Sequence, residues 1–209
     1  MPSELKANAL TTLARVKAIL EITNTSFDNL LERYINAVSD FIEGETNTVF
    51  KQATYSDEKI SVYSERAEFV FLKHAPVVSV TNLKYRAGTP ATPNYTAFTT
   101  DQYELAGDGK SGMIRVYGCA PKGTNVLTCT YIAGYLIDWA NTTDLTKHTL
   151  PADITSLAEQ LVVKAYKKKA AKGKSSETGA SGDNVNWKSS LDDEDTMILN
   201  RYARQPQFI

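Results

Sequence analysis

Apolar residues recur every third and fourth position in two stretches of this chain, and between them the rhythm changes to alternation. The first stretch is Phe27, Leu30, Leu31, Tyr34, Ile35, Val38, Phe41 and Ile42; the second is Ile154, Leu157, Ala158, Leu161, Val162, Ala165 and Tyr166. Such spacing gathers apolar groups on one side of a helix. A shorter run, Leu13, Val16 and Leu20, predicts a first helix opened by Thr11 or Thr12 and broken over Ile22–Ser26. Thr25 followed by Asp28 has capping-box spacing, so the second helix is expected to start there and run to about Gly44–Thr46. Its apolar side is wide and must be covered, and the first helix is the nearest cover. The third helix should open at Leu150-Pro-Ala-Asp153, with Pro in the first turn and an acid beside it, and stop at Gly173.

From about Ala53 the pattern is that of strands. Ile60–Ser64, Glu68–Leu72, Val77–Thr81, Tyr103 with Leu105, Met113–Tyr117 and Asn125–Tyr131 are rich in β-branched and aromatic residues. Pro76, the Gly88-Pro90-Pro93 loop from Arg86 to Asn94, the Ala106–Gly112 turn and Pro121-Lys-Gly123 separate them. Short strands joined by tight turns predict an antiparallel sheet or a small barrel-like sandwich. A turn at Lys122–Gly123 would set Cys119 opposite about residue 126 rather than Cys129, so both thiols are expected to be reduced and packed.

After the third helix, residues 173–190 have the Gly/Ser composition of a flexible linker, with Trp187 their only large group. Ser190 with Asp193 repeats the capping-box spacing and opens a short helix from about Leu191 to Ala203. Its apolar members, Leu191, Met197, Ile198, Leu199 and Tyr202, are too few and too spread for a helix that stands alone; docking on a partner would offset the cost of ordering it. The resulting class is α+β: a small helical bundle with an antiparallel β insertion and a C-terminal helical arm. Its expected parts are N-terminal helices (1–50), the β insertion (51–136), a loop and the third helix (137–172), the linker (173–190) and the final helix and tail (191–209).

Composition changes this picture little. The chain has 209 residues, 42% hydrophobic and 22% charged, which is enough for a sizeable core. Lys plus Arg (23) nearly cancels Asp plus Glu (24), so there is no global basic field to hold nucleic acid. Local patches are another matter: Lys167-Lys-Lys169, at the end of the third helix, opposes the negative end of the helix dipole and is also a candidate to face DNA. Met1–Asn8 is polar and no stretch reaches a membrane span, so a cytosolic chain without membrane contact is expected.

Candidate chemistry is thin. Gly107-Asp-Gly109-Lys-Ser-Gly112 is formally G-x-G-x-x-G, but strand sequence follows it where a phosphate site needs a helix, so it reads as a hairpin turn. His74 and His148 lie far apart. His148 with Asp138, Asp144 and Asp153 has no metal-ligand spacing and reads as a solvated loop. Asp192-Asp-Glu-Asp195 lacks the alternation and glycine of a Ca²⁺ loop and suits a helix start. No catalytic residues, metal or cofactor are assigned, and a non-enzymatic role is expected.

One family shares this order of segments. Leu10-Thr-Thr-Leu-Ala-Arg-Val-Lys17, Ile22-Thr23, Asp28-Asn-Leu-Leu-Glu-Arg33, Ile35-Asn-Ala37 and Ser39-Asp-Phe-Ile-Glu43 resemble the opening of head–tail connector (adaptor, or head-completion) proteins of long-tailed bacteriophages. Leu72-Lys-His-Ala-Pro76-Val-Val-Ser-Val80, Asp101-Gln-Tyr103-Glu-Leu105, Gly112-Met-Ile114, Thr130-Tyr-Ile-Ala-Gly-Tyr135 and Leu150-Pro151-Ala-Asp153 continue the likeness to about residue 170. The resemblance implies a virion protein of the neck, assembled in the host cytoplasm. It implies a ring of self-copies, usually twelve, between the portal protein and the next head–tail connector (the stopper) or tail protein, with double-stranded DNA passing through the channel. It also implies a C-terminal segment that grips the portal, here Leu191, Met197, Ile198, Tyr202, Arg204, Phe208 and Ile209. The alternatives are a small nucleic-acid-binding module using the basic end of the third helix, and a hydrolase built on the Asp138–Asp153 loop.

Overall fold

The computed structural model describes residues 4–89, 91–144, 146–172 and 191–204. The described residues divide into a helical unit, formed by residues 4–48 together with those between Ile137 and Arg204, and a β unit spanning Val49–Leu136. Among the described residues there are four α-helices and two antiparallel sheets, an α+β fold.

In the helical unit, α1 (Leu13–Leu20) starts at Thr12, whose hydroxyl accepts the Arg15 N–H, and ends at Glu21 in a left-handed conformation. The second helix, α2 (Asp28–Thr46), buries Leu31, Tyr34, Ile35, Val38 and Ile42. The expected cap at Thr25 is not made: the N-cap is Phe27, with no side-chain hydrogen bond, and Asp28 instead binds Lys17 of α1 at 2.7 Å. The third helix, α3 (Ala152–Lys172), turns Ile154, Leu157, Ala158, Leu161, Val162 and Ala165 inward, each less than 5% exposed. More of the cover for α2 comes from α3 than from α1, because two long apolar stripes bury more area than one long and one short. Phe27 and Tyr166 meet edge to face at 5.6 Å. The fourth helix, α4 (Asp193–Tyr202), packs on α2 and α3.

Among its described residues the β unit holds seven strands: β1 (Ala53–Val62), β2 (Ala67–Phe71), β3 (Val77–Arg86), β4 (Tyr95–Ala97), β5 (Tyr103–Leu105), β6 (Met113–Ala120) and β7 (Gly123–Ala133). One sheet has the order β1-β7-β3-β4, the other β2-β6-β5. They share one core, with Val70, Ile114 and Val116 from the smaller sheet against Ile60, Leu83, Leu127, Cys129 and Tyr131 from the larger. β7 is central, so Leu127 pairs with Ile60 on one side and Tyr85 on the other. β6 and β7 follow one another in sequence yet belong to different sheets, which corrects the expected hairpin across Lys122–Gly123; Cys129 lies opposite Glu58 and Leu83. β4 falls just past the expected Arg86–Asn94 loop and pairs with the end of β3.

The glycine-rich segment is a tight turn leading into strand β6. Gly107 and Asp108 have φ near +55°, and Gly109 has φ +74°. A Cβ on Gly109 would stand 2.0 Å from the Val77 carbonyl oxygen, so the backbone of this turn lies directly against β3. Nothing here resembles a helix N-terminus facing a phosphate.

Candidate functional site

The described part of the C-terminal arm is not free. Its helix, α4, is capped by Asp192, whose carboxylate accepts the Asp195 N–H at 2.9 Å, while Asp195 accepts the Asp192 N–H at 3.1 Å. The box therefore sits two residues past the expected Ser190–Asp193 pair, because Asp192 and Asp195 also share a cation. Lys164 of α3 reaches Asp192 at 2.8 Å and Asp195 at 2.6 Å. Burial alone would pull the Lys164 ammonium down, but its hydrogen bonds to Asp192 and Asp195 outweigh that and hold it above the usual lysine range. The Lys164 hydrogen bond, with the Asp195 N–H, holds the Asp192 carboxyl below the usual range.

At the other end of α4, Arg201 binds Asp153 at 2.8 Å, and the Tyr202 hydroxyl donates to the same carboxylate at 2.8 Å. The Thr48 hydroxyl donates to the Tyr202 carbonyl at 3.0 Å, and the Arg204 N–H to the Thr46 carbonyl at 2.8 Å. Of the residues proposed as anchors, Met197 is 68% exposed, while Leu191, Ile198, Tyr202 and Arg204 are half-buried. Phe208 and Ile209 lie outside the described residues, as do Trp187 and the 173–190 linker. Leu199, not proposed as an anchor, is the buried apolar residue of this helix. The sequence reading missed Lys164 and Asp153 as docking residues. The signal was present in the charge order, acids at the start of the last helix and a cation at its end, complementary to an acid early and a lysine late in α3.

Lys167, Lys168 and Lys169 stand exposed in succession on the last turns of α3. In the β unit, the outer side of the smaller sheet carries Phe69 and Tyr117, each more than 40% exposed, with the Arg115 guanidinium 5.9 and 5.3 Å from their ring centres. Glu68 and Glu104 flank that guanidinium at 3.9 and 3.8 Å.

The residues of the hydrolase alternative are engaged in local structure. His148 is 7% exposed and packs on Trp139, and its Nδ1 accepts the Asp138 N–H at 3.2 Å. Asp138 binds Asn141 and the Ala140 N–H, which lower its pKa; Asp144 binds the hydroxyl and N–H of Thr146, which lower its own. These are turn-forming carboxylates. Among the described residues, no group of three or more His, Cys, Asp or Glu could hold a metal ion, and no helix is long and apolar enough to cross a membrane.

Compared with known proteins, the chain matches the family described as head completion protein over residues 9–204. No curated protein matches it. Among solved structures it resembles a chain from the neck of an empty GTA particle computed with C6 symmetry, at 18% identity and a TM-score of 0.56, covering 98% of this chain and 96% of that one. It also resembles one from the neck of a native GTA particle computed with C12 symmetry, at 19% identity and 0.54, covering 100% and 97%. A third is from the virion of a native gene transfer agent (GTA) particle, at 16% identity and 0.55, covering 100% and 96%. At these identities the likeness is one of fold.

Proposed function

The chain belongs to the head completion protein family, and from that membership we propose that it is a non-enzymatic structural adaptor of a phage-like neck. Copies of it form a ring, of twelve in the expected arrangement, between the portal protein and the next connector or tail protein, around a channel for double-stranded DNA. The observation that carries this reading is the extent of the family match, which runs through the helical unit, the whole β unit and α4. Likeness of fold to neck chains of particles with C6 and C12 symmetry supports a place in a ring.

Within the ring, α2 and α3 build the body and the β unit extends toward the tail side. Exposed Phe69 and Tyr117 around Arg115 suit a protein partner there, since aromatic and Arg side chains are enriched at interface centres. Lys167, Lys168 and Lys169 are the candidate DNA-facing residues, and three cations on an otherwise near-neutral chain let DNA pass without holding it. Residues 191–209 bind the portal, with Met197, Ile198, Tyr202, Phe208 and Ile209 as anchors and Leu191 and Arg204 beside them. Deleting residues 186–209 tests this: the truncated chain is expected to stay folded and lose portal binding, and full affinity in the truncated chain overturns the arm assignment.

A further inference from the structure

We propose that α4 is stowed on its own subunit by a two-ended charge latch that opens without unfolding the rest of the helical unit, and that this opening controls when the arm is available. The control rests on reading residues 191–209 as the portal-binding arm; the latch rests on geometry alone.

The two clamps lie at opposite ends of α4. Its acidic start, Asp192 and Asp195, holds Lys164, and its end, Arg201 and Tyr202, holds Asp153. Lys164 and Asp153 are eleven residues apart on α3, roughly 16 Å along the axis, which matches the roughly 15 Å length of a ten-residue helix. The pairing therefore lays α4 antiparallel to α3, with each end against a charge opposite to its own.

Besides the clamps, α4 is held by the Thr48 hydroxyl on the Tyr202 carbonyl, by the Arg204 N–H on the Thr46 carbonyl and by a small apolar contact. Leu199 is the one apolar side chain of α4 that is buried, and a ten-residue helix is unstable alone in water. Both clamps face solvent on one side: the Asp192 and Arg201 side chains are 58% and 63% exposed. Asp195 is 1% exposed, and its Oδ1 has no hydrogen-bond partner among the described residues, a penalty carried only while the helix is docked. Salt screens the exposed Asp192–Lys164 and Arg201–Asp153 pairs, and the buried Asp195–Lys164 pair less, whereas the apolar α2–α3 contact does not depend on charge. Ionic strength thus separates the latch from the body.

Amide hydrogen exchange on the full chain tests the latch. Raising NaCl from about 0.05 M to about 1 M is expected to speed exchange at residues 195–202 about tenfold or more, with residues 31–42 and 154–165 unchanged. Lys164→Gln and Asp153→Asn, each at low salt, are expected to do the same. Exchange at α4 that ignores both salt and the two variants, or that rises in step with α2 and α3, overturns the latch. The control is read separately with a purified portal ring: Lys164→Gln should bind it about tenfold more tightly, because opening no longer competes with docking. Faster exchange with unchanged portal affinity overturns the control and leaves the latch standing. Loss of the arm assignment itself is read from the 186–209 deletion.

Discussion

Glu159 of α3 accepts a hydrogen bond from Arg15 Nε of α1 at 2.5 Å and another from the Thr11 hydroxyl at 3.1 Å. The Arg15 guanidinium lies 6.0 Å from the centre of the Trp139 ring, whose Nε1 donates to the Ala9 carbonyl at 3.3 Å. The buried Glu159 carboxylate therefore joins Thr11 and α1 to the middle of α3, and Arg15 and Ala9 carry the contact on to Trp139.

Removing that carboxylate leaves the buried Thr11 hydroxyl without its partner, and the half-exposed Arg15 guanidinium unpaired but open to water. Glu159→Ala is expected to lower unfolding stability by about 1–2 kcal/mol, and Glu159→Gln by about half as much, since the amide oxygen keeps the Thr11 bond. Denaturant midpoints of the two variants check this. Equal, near-zero losses would show that the pair is merely superficial.

Two glycines of one turn make a controlled comparison. Gly107 and Gly109 both have positive φ, but a Cβ on Gly107 meets nothing within 4 Å whereas one on Gly109 strikes the Val77 carbonyl. Gly107→Ala is expected to cost about 1 kcal/mol from backbone strain alone. Gly109→Ala must also push β3 away and is expected to cost about 3 kcal/mol or more, or to prevent soluble expression. Thermal melts of the pair decide, and similar melting temperatures would sink the close-approach argument.

Alkaline pH should weaken the β unit first. Burial, with a smaller contribution from the Glu58 charge, pushes the Cys129 thiol up to about 12 from its ordinary 9.0. Burial and the hydrogen bond to Glu58 push Tyr131 up as well. An acid with a raised folded pKa stays protonated in the native state while the unfolded chain releases its proton, so stability is whole below pH 9 and falls above it. The loss for Cys129 has a slope of up to about 1.4 kcal/mol per pH unit between 9 and 12. Denaturation followed over that range should show a steeper decline in the native chain than in Cys129→Ala. The native thiol should also resist alkylation at pH 8 until the protein unfolds.

What could be read in advance, and what could not, follows from how far apart the deciding residues lie. The stripes Leu31–Ile42 and Ile154–Ala165 are local patterns, and both emerged as the buried faces of α2 and α3. The turn at Gly107–Gly112 was legible because the strand after it excludes a phosphate loop. The cap of α2 was not, since Asp28 is taken by Lys17, eleven residues earlier, and no local rule weighs that competitor. The assignment of β6 and β7 to different sheets was hidden for the same reason: β7 finds its partners in β1 and β3, some forty to eighty residues earlier. At the candidate site, the apolar residues of the last helix were visible but their division was not. Which of them turns inward depends on Lys164 and Asp153 fixing the rotation of α4 about its own axis.

That rotation gives the last prediction. Met197 and Leu199 are two residues apart on α4, about 200° around the helix, so they point to nearly opposite sides. Leu199 faces the body, and Met197 faces solvent. Leu199→Ala should therefore undock α4, raising amide exchange across residues 195–202, yet shift the global melting temperature little, because α2 and α3 carry the core. Met197→Asp should leave both exchange and melting unchanged, since nothing in the free subunit touches that side chain enough to bury it. If Met197 is an anchor for the portal, the same substitution should weaken binding to a portal ring by about tenfold to a hundredfold, the usual loss when a charge is forced into an apolar contact. Unchanged portal affinity in Met197→Asp, measured beside an unchanged fold, would remove Met197 from the interface and leave the portal contact to the inward side of α4 or to the residues beyond Arg204.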